Sequence, residues 1–134
     1  MSDATADDAV VLHVCTTCRG EGDARPGRDL LAALEALVAE RPRPGLRVEA
    51  AECLSVCKRP CTVAASSPGR WTYVWGDLDP ATSAAALLDG VGLYAATADG
   101  IVPWRERPEI LRKGVVARVP PLMPRHPPVE EAAQ

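Results

Sequence analysis

Hydrophobic positions change their period several times along the chain, and each change marks an element. Val10-Val11-Leu12-His13-Val14 is a short, β-branched run that predicts a buried strand ending at Cys15. Residues 19–28, which include Gly20, Gly22, Pro26 and Gly27, read as loop. From Asp29, Leu30, Leu31, Leu34, Leu37 and Val38 recur at helical spacing, and Pro42 and Pro44 end that helix. Leu46, Val48 and Ala50 then alternate with Arg47 and Glu49, a second strand that runs into Glu52-Cys53. Thr62–Ala65 and Trp71–Trp75 flank the turn residues Ser66-Ser67-Pro68-Gly69 and predict a hairpin, with Trp71, Tyr73 and Trp75 on one face. Asp79 suits an N-cap and Pro80 a first helical position. They predict a helix from Ala81 to Asp89, closed by Gly90, with a further helical piece over 91–98. Pro108 and Gly114 bracket another short helix, and Val115, Val116 and Val119 predict a last strand or extended segment.

The resulting order is β, α, β, β, β, α and an extension. A first β-α-β unit implies a parallel pair with a right-handed crossover, and the hairpin adds antiparallel strands. The expected fold is α/β, a small mixed sheet flanked by helices. Residues 1–9 are expected to be a disordered tail, 10–119 one domain, and the proline-rich stretch 120–134 a second tail.

Composition narrows the function. No run approaches the roughly 18 consecutive apolar residues that a membrane span requires. The acidic, polar start of the chain does not resemble a secretory signal, so a cytoplasmic location is expected. A net charge of -3 argues against general nucleic-acid binding. The charge is uneven: residues 101–126 carry 6 basic and 2 acidic side chains.

The cysteines change the picture most. Cys15 and Cys18 form C-x2-C; 34 residues later Cys53, Cys57 and Cys61 form C-x3-C-x3-C. An odd number of cysteines and no sign of export make a disulfide framework a poor reading. Both groups directly follow strands of the predicted parallel pair, so they emerge at one end of the sheet and point to one shared site. Thiolates are soft donors that suit zinc or an iron–sulfur cluster. Buried, chemically inert cysteines are the bland alternative. A thiol–disulfide oxidoreductase is another, but it needs C-x-x-C at a helix N-terminus, and a ten-residue loop intervenes between Cys18 and the predicted helix start. His13 reads as a buried strand residue and His126 as part of the tail. With two histidines and no nucleophile–base pairing, hydrolytic catalysis has no support, and no phosphate-binding glycine motif is present. The expectation is a metal-binding protein that is not an enzyme.

The segment Glu52-Cys53-Leu54-Ser55-Val56-Cys57-Lys58-Arg59-Pro60 resembles the second cluster loop of the thioredoxin-like [2Fe–2S] ferredoxins, with Cys15 and Cys18 standing where their first two ligands lie. The longer pattern from the C-x-x-C through Cys53–Ala64 and Trp71–Pro80 to Val102-Pro103-Trp104-Arg105-Glu106-Arg107-Pro108 is similar to a bacterial family of predicted metal-binding proteins of unassigned activity. The resemblance implies a thioredoxin-like fold and a [2Fe–2S] electron carrier. It implies Cys15, Cys18, Cys53 and Cys57 as ligands, with Cys61 as a spare or alternative ligand. It also makes a homodimer plausible. Two features depart from the ferredoxins: C-x2-C is a shorter ligand spacing than theirs, and Cys61 has no counterpart. Zinc remains the alternative metal. An electron carrier needs a redox protein partner, and Lys58, Arg59, Arg105, Arg107 and Arg112 are the candidate contacts for an acidic one, against the plainer reading of a solvated basic face.

Overall fold

The computed structural model describes residues 9–17, 25–54 and 61–123. Residues 1–8 and 124–134, most of the expected tails, and the residues Cys18, Cys57, Lys58 and Arg59 lie outside the described residues. Among the described residues there are five strands: β1 (Val10–Cys15), β2 (Leu46–Ala51), β3 (Val63–Ser66), β4 (Thr72–Trp75) and β5 (Val115–Val119). They form one sheet in the order β2-β1-β3-β4-β5. β1 and β2 are parallel, from Val10 opposite Leu46 to Cys15 opposite Ala51. The other neighbours are antiparallel. Among the described residues the sheet is accompanied by α1 (Pro26–Glu40), α2 (Ala84–Ala95) and α3 (Glu109–Lys113), with a turn of 3-10 helix at Trp104–Glu106.

The period-two pattern decides which face is covered. Val10, Leu12 and Val14 of β1, Val63 and Ala65 of β3, and Tyr73 and Trp75 of β4 share a face through their cross-strand registers. All are buried, and they join Leu30 and Leu34 of α1 with Leu87, Leu88, Val91 and Tyr94 of α2 in one core. Each such leucine contributes roughly 1.5–3 kcal/mol by leaving water. Val11, His13, Ser66 and Val74, at the alternate positions, are only half-buried. The chain has no phenylalanine, and its aromatics fill the space instead. Tyr73 and Trp75 stack with centroids 5.1 Å apart, and Tyr94 meets Tyr73 edge-on at 6.0 Å.

Two helix boundaries differ from those the pattern predicts. α1 begins at Pro26, three residues before Asp29, because a proline fits the first helical turn, where its missing N–H is no loss. Asp29 sits inside that first turn. α2 begins at Ala84 and is continuous to Ala95. Asp79 is spent on a turn ahead of it: its carboxylate accepts from the N–H of Ala81 at 2.7 Å, and its own N–H donates to Ser83 Oγ at 2.9 Å. Gly90 lies within α2 and not after it. A β-carbon there would stand 2.1 Å from Leu111 Cδ1, so this glycine lets α3 dock.

Candidate metal centre

The parallel register brings the two cysteine groups together. Cys15 is the last residue of β1 and is paired with Ala51, the last residue of β2; Cys53 follows two residues on. The threonines between the cysteines of C-x-x-C join these strand ends. Thr16 N–H donates to Ala51 O at 2.9 Å, and Thr16 Oγ1 donates to the same oxygen at 3.2 Å. Thr17 Oγ1 donates to Glu52 O, the carbonyl just before Cys53, and lies 3.8 Å from Cys15 Sγ. Sequence reasoning passed over both threonines. The available signal was two hydroxyls inside a C-x-x-C that follows a strand.

Cys61 reaches the same end from the antiparallel side. Cys15 N–H donates to Thr62 O at 3.0 Å, which sets residues 61 and 62 beside the end of β1. Cys61 and Leu78 exchange N–H···O bonds of 3.2 Å in each direction. Between Trp75 and Leu78 the chain turns through Asp77, whose φ of 60° is left-handed, a conformation that aspartate tolerates better than most residues. The three described cysteines differ in surroundings. Cys53 is exposed, Cys15 is buried, and Cys61 is 1% exposed within the core that also contains Val63, Trp75 and Leu78. Among the described residues, no three His, Cys, Asp or Glu side chains converge as a metal-holding group.

The N-terminus of α1 closes this end of the sheet. A β-carbon built on Gly27 would lie 1.7 Å from the carbonyl oxygen of Cys15. Only glycine permits that approach, so the start of the helix is pressed against the end of β1. The positive end of a helix dipole favours thiolate over thiol. Trp75, whose register partner is Val63, is buried at this end too, and among the described residues its indole N–H has no hydrogen-bond acceptor. Soft thiolates on adjoining strand ends, a helix N-terminus and an unused N–H donor fit a thiolate-bound metal.

The candidate docking residues have distinct settings. Arg105 is exposed and Arg112 half-buried. Arg107 turns inward: its Nε donates to Val102 O at 2.9 Å and its Nη2 to Tyr73 Oη at 3.2 Å. Among the described residues, no helix is long and apolar enough to cross a membrane.

The family comparison matches residues 12–121, which runs from within β1 through β5 and includes both cysteine groups. The chain belongs to the family described as Protein of unknown function (DUF1636). No curated protein matches this DUF1636 chain. Among solved structures it is similar to a thioredoxin-like [2Fe–2S] ferredoxin from Aquifex aeolicus, with a TM-score of 0.58 and 15% identity over 86% of this chain and 97% of that one. A crystal structure of the wild-type thioredoxin-like [2Fe–2S] ferredoxin from the same organism matches with a TM-score of 0.52 and 12% identity, covering 81% and 97% of the two chains. At such identities the likeness shows the fold alone. The DUF1636 chain therefore has the expected thioredoxin-like α/β fold.

Proposed function

We propose that this DUF1636 protein is a cytoplasmic electron carrier that holds a [2Fe–2S] cluster through Cys15, Cys18, Cys53 and Cys57, with Cys61 in reserve. The observation that carries this reading is the register of β1 on β2, which delivers Cys15 and Cys53 to neighbouring strand ends cross-linked by Thr16 and Thr17. A cluster bound there supplies one-electron transfer. The protein's own residues do the rest. Strand ends fix the spacing of the thiolates, and the α1 N-terminus offsets their negative charge. Lys58 and Arg59, inside the second cysteine loop, add positive charge, and a redox protein partner takes or gives the electron. The protein itself transforms no substrate.

Visible absorption and metal content of protein purified without oxygen test this. Brown protein with about two irons and two sulfides per chain is the expected result. Colourless protein holding about one zinc per chain overturns it and makes the fold a zinc-stabilised binding module. Cys57→Ser and Cys61→Ser, compared in the same assay, identify the fourth ligand.

One observation favours a second reading. α1 starts three residues earlier than the pattern implies and touches the Cys15 backbone, which is the setting that activates a dithiol. A thiol–disulfide oxidoreductase would show metal-free protein that reduces dithionitrobenzoate with turnover when supplied with a reductase.

A further inference from the structure

We propose that Trp104 is the anchor of a docking surface for an acidic protein partner. Trp104 opens a 3-10 turn, and 60% of it is exposed. An isolated exposed apolar side chain needs no explanation. This one is braced from the core. The guanidinium carbon of Arg107 lies 5.5 Å from the Trp104 ring centroid and 5.3 Å from that of Tyr73. Tyr73 is fully buried. Arg107 is itself fixed by its bonds to Val102 O and Tyr73 Oη, and Val102 N–H donates to the same Tyr73 oxygen at 3.2 Å. A chain of contacts therefore runs from the hydrophobic core, at Tyr73 of β4, to an indole in solvent. Side chains held in place before binding lose less entropy on association, and Trp and Arg are the residues most often found at the energetic centre of an interface.

Charge selects the partner. Arg105 is exposed next to Trp104, and Arg118 lies directly opposite Tyr73 in the β4–β5 register. These three arginines fall in the 101–126 stretch, which holds 6 basic and 2 acidic residues in a chain of net charge -3. Glu109, one of the two acids, is paired with Lys113 at 2.8 Å. A local basic patch on an acidic protein draws an acidic surface in one orientation and repels approach elsewhere. Nucleic-acid binding draws on many phosphate contacts at once, whereas Arg107 is committed inward and few outward cations remain beside the indole, so an acidic protein surface with an apolar spot is the better fit. The surface does not depend on which metal the cysteines hold; that the partner is a redox protein rests on the electron-carrier reading.

The test uses the full chain and, as probe, a synthetic helical peptide with Glu on one face and Leu beside it. Binding is followed by NMR of the indole N–H signals and by calorimetry. The expected result is a shift of the Trp104 signal, lost at high salt. Trp104→Ala and Arg105→Glu should each weaken binding about tenfold, while Arg47→Glu, on the far edge strand, should not. Arg107→Lys keeps the charge but loses the planar brace, and should also weaken binding with the fold intact by circular dichroism. Wild-type affinity in Trp104→Ala, or in a folded Arg107→Lys, overturns the proposal. So does tighter binding of oligo-dT than of the peptide at the same patch. Iron and sulfide are measured on the same samples. Cluster-loaded protein that ignores the peptide sinks the docking surface alone, and zinc-loaded protein that binds it sinks the electron carrier alone.

Discussion

The Cys15 carbonyl oxygen and Gly27 are packed so closely that residue 27 has no room for a side chain. This contact couples the first cysteine strand to the N-terminus of α1, so it links packing directly to the proposed metal site. Gly27→Ala must push the helix away from β1, because the obstruction is backbone and cannot rotate aside. The expected cost is about 1–3 kcal/mol, the usual range for overpacking, read as a lower urea midpoint. Metal retained per chain should fall as well. Gly92→Ala, where a β-carbon meets only Arg43 at 3.7 Å, is the comparison, and an equal loss in both variants would mean that the contact is not specific to the site.

Cys61 and Cys53 should respond in opposite ways to replacement. Cys61 is packed among Val63, Trp75 and Leu78, whereas Cys53 faces solvent beyond β2. Cys61→Val is close in volume and should keep the metal complement, with a stability change under about 1.5 kcal/mol. Cys53→Ser should lose the metal while leaving the core intact. Metal analysis with urea unfolding on both variants checks the pair. Loss of metal in Cys61→Val would make Cys61 a ligand.

Much of this was legible in the chain because its signals are local. A β-branched apolar run placed β1, alternation and turn residues placed β2 and the hairpin, and the β-α-β order placed Cys15 and Cys53 at one end of the sheet. What stayed hidden depends on contacts across the fold. The helical period of α1 starts at Leu30, so the first turn, made of Pro26, Gly27 and Arg28, carries no apolar signal. Gly90 reads as a stop signal, yet it is the space that Leu111 occupies. Thr16 and Thr17 gained meaning only when the register put Ala51 and Glu52 within their reach. Arg107 looked like one basic residue among several; its link between Tyr73 and Trp104 is a property of the packed structure.

Arg70 is a buried cation with a structural task. It is 4% exposed and donates to Ala95 O at 3.1 Å, Thr97 O at 3.0 Å and Ser67 Oγ at 2.7 Å. The last carbonyls of a helix have no partner within it, and a positive charge suits that end of the dipole. Arg70→Met leaves these acceptors, two of them only partly buried, without that donor and should cost about 1–3 kcal/mol in urea unfolding. Arg70→Lys keeps the charge and should recover part of the loss. A neutral Arg70→Met would show that water replaces the guanidinium without penalty.

Tyr94 makes stability fall at alkaline pH. Its hydroxyl donates to Trp71 O at 2.6 Å. Burial pushes the phenol well above its ordinary value, while the nearby Arg70 charge opposes the shift and Tyr73 adds to it. The sign follows from proton binding. Below about pH 10 both folded and unfolded states keep the proton, so this group adds no pH dependence. Above it, the unfolded chain releases the proton and the folded protein holds it. Unfolding is then favoured by about 1.4 kcal/mol for each further pH unit, until the raised folded value is reached. Tyr94→Phe cannot ionise and should flatten that part of the profile. At neutral pH it should cost about 1 kcal/mol for the lost hydrogen bond. Urea unfolding at a series of pH values from 8 to 11 reads both effects, with tyrosinate absorbance recorded on the same samples. Parallel profiles for the wild type and Tyr94→Phe would assign the alkaline loss to other groups.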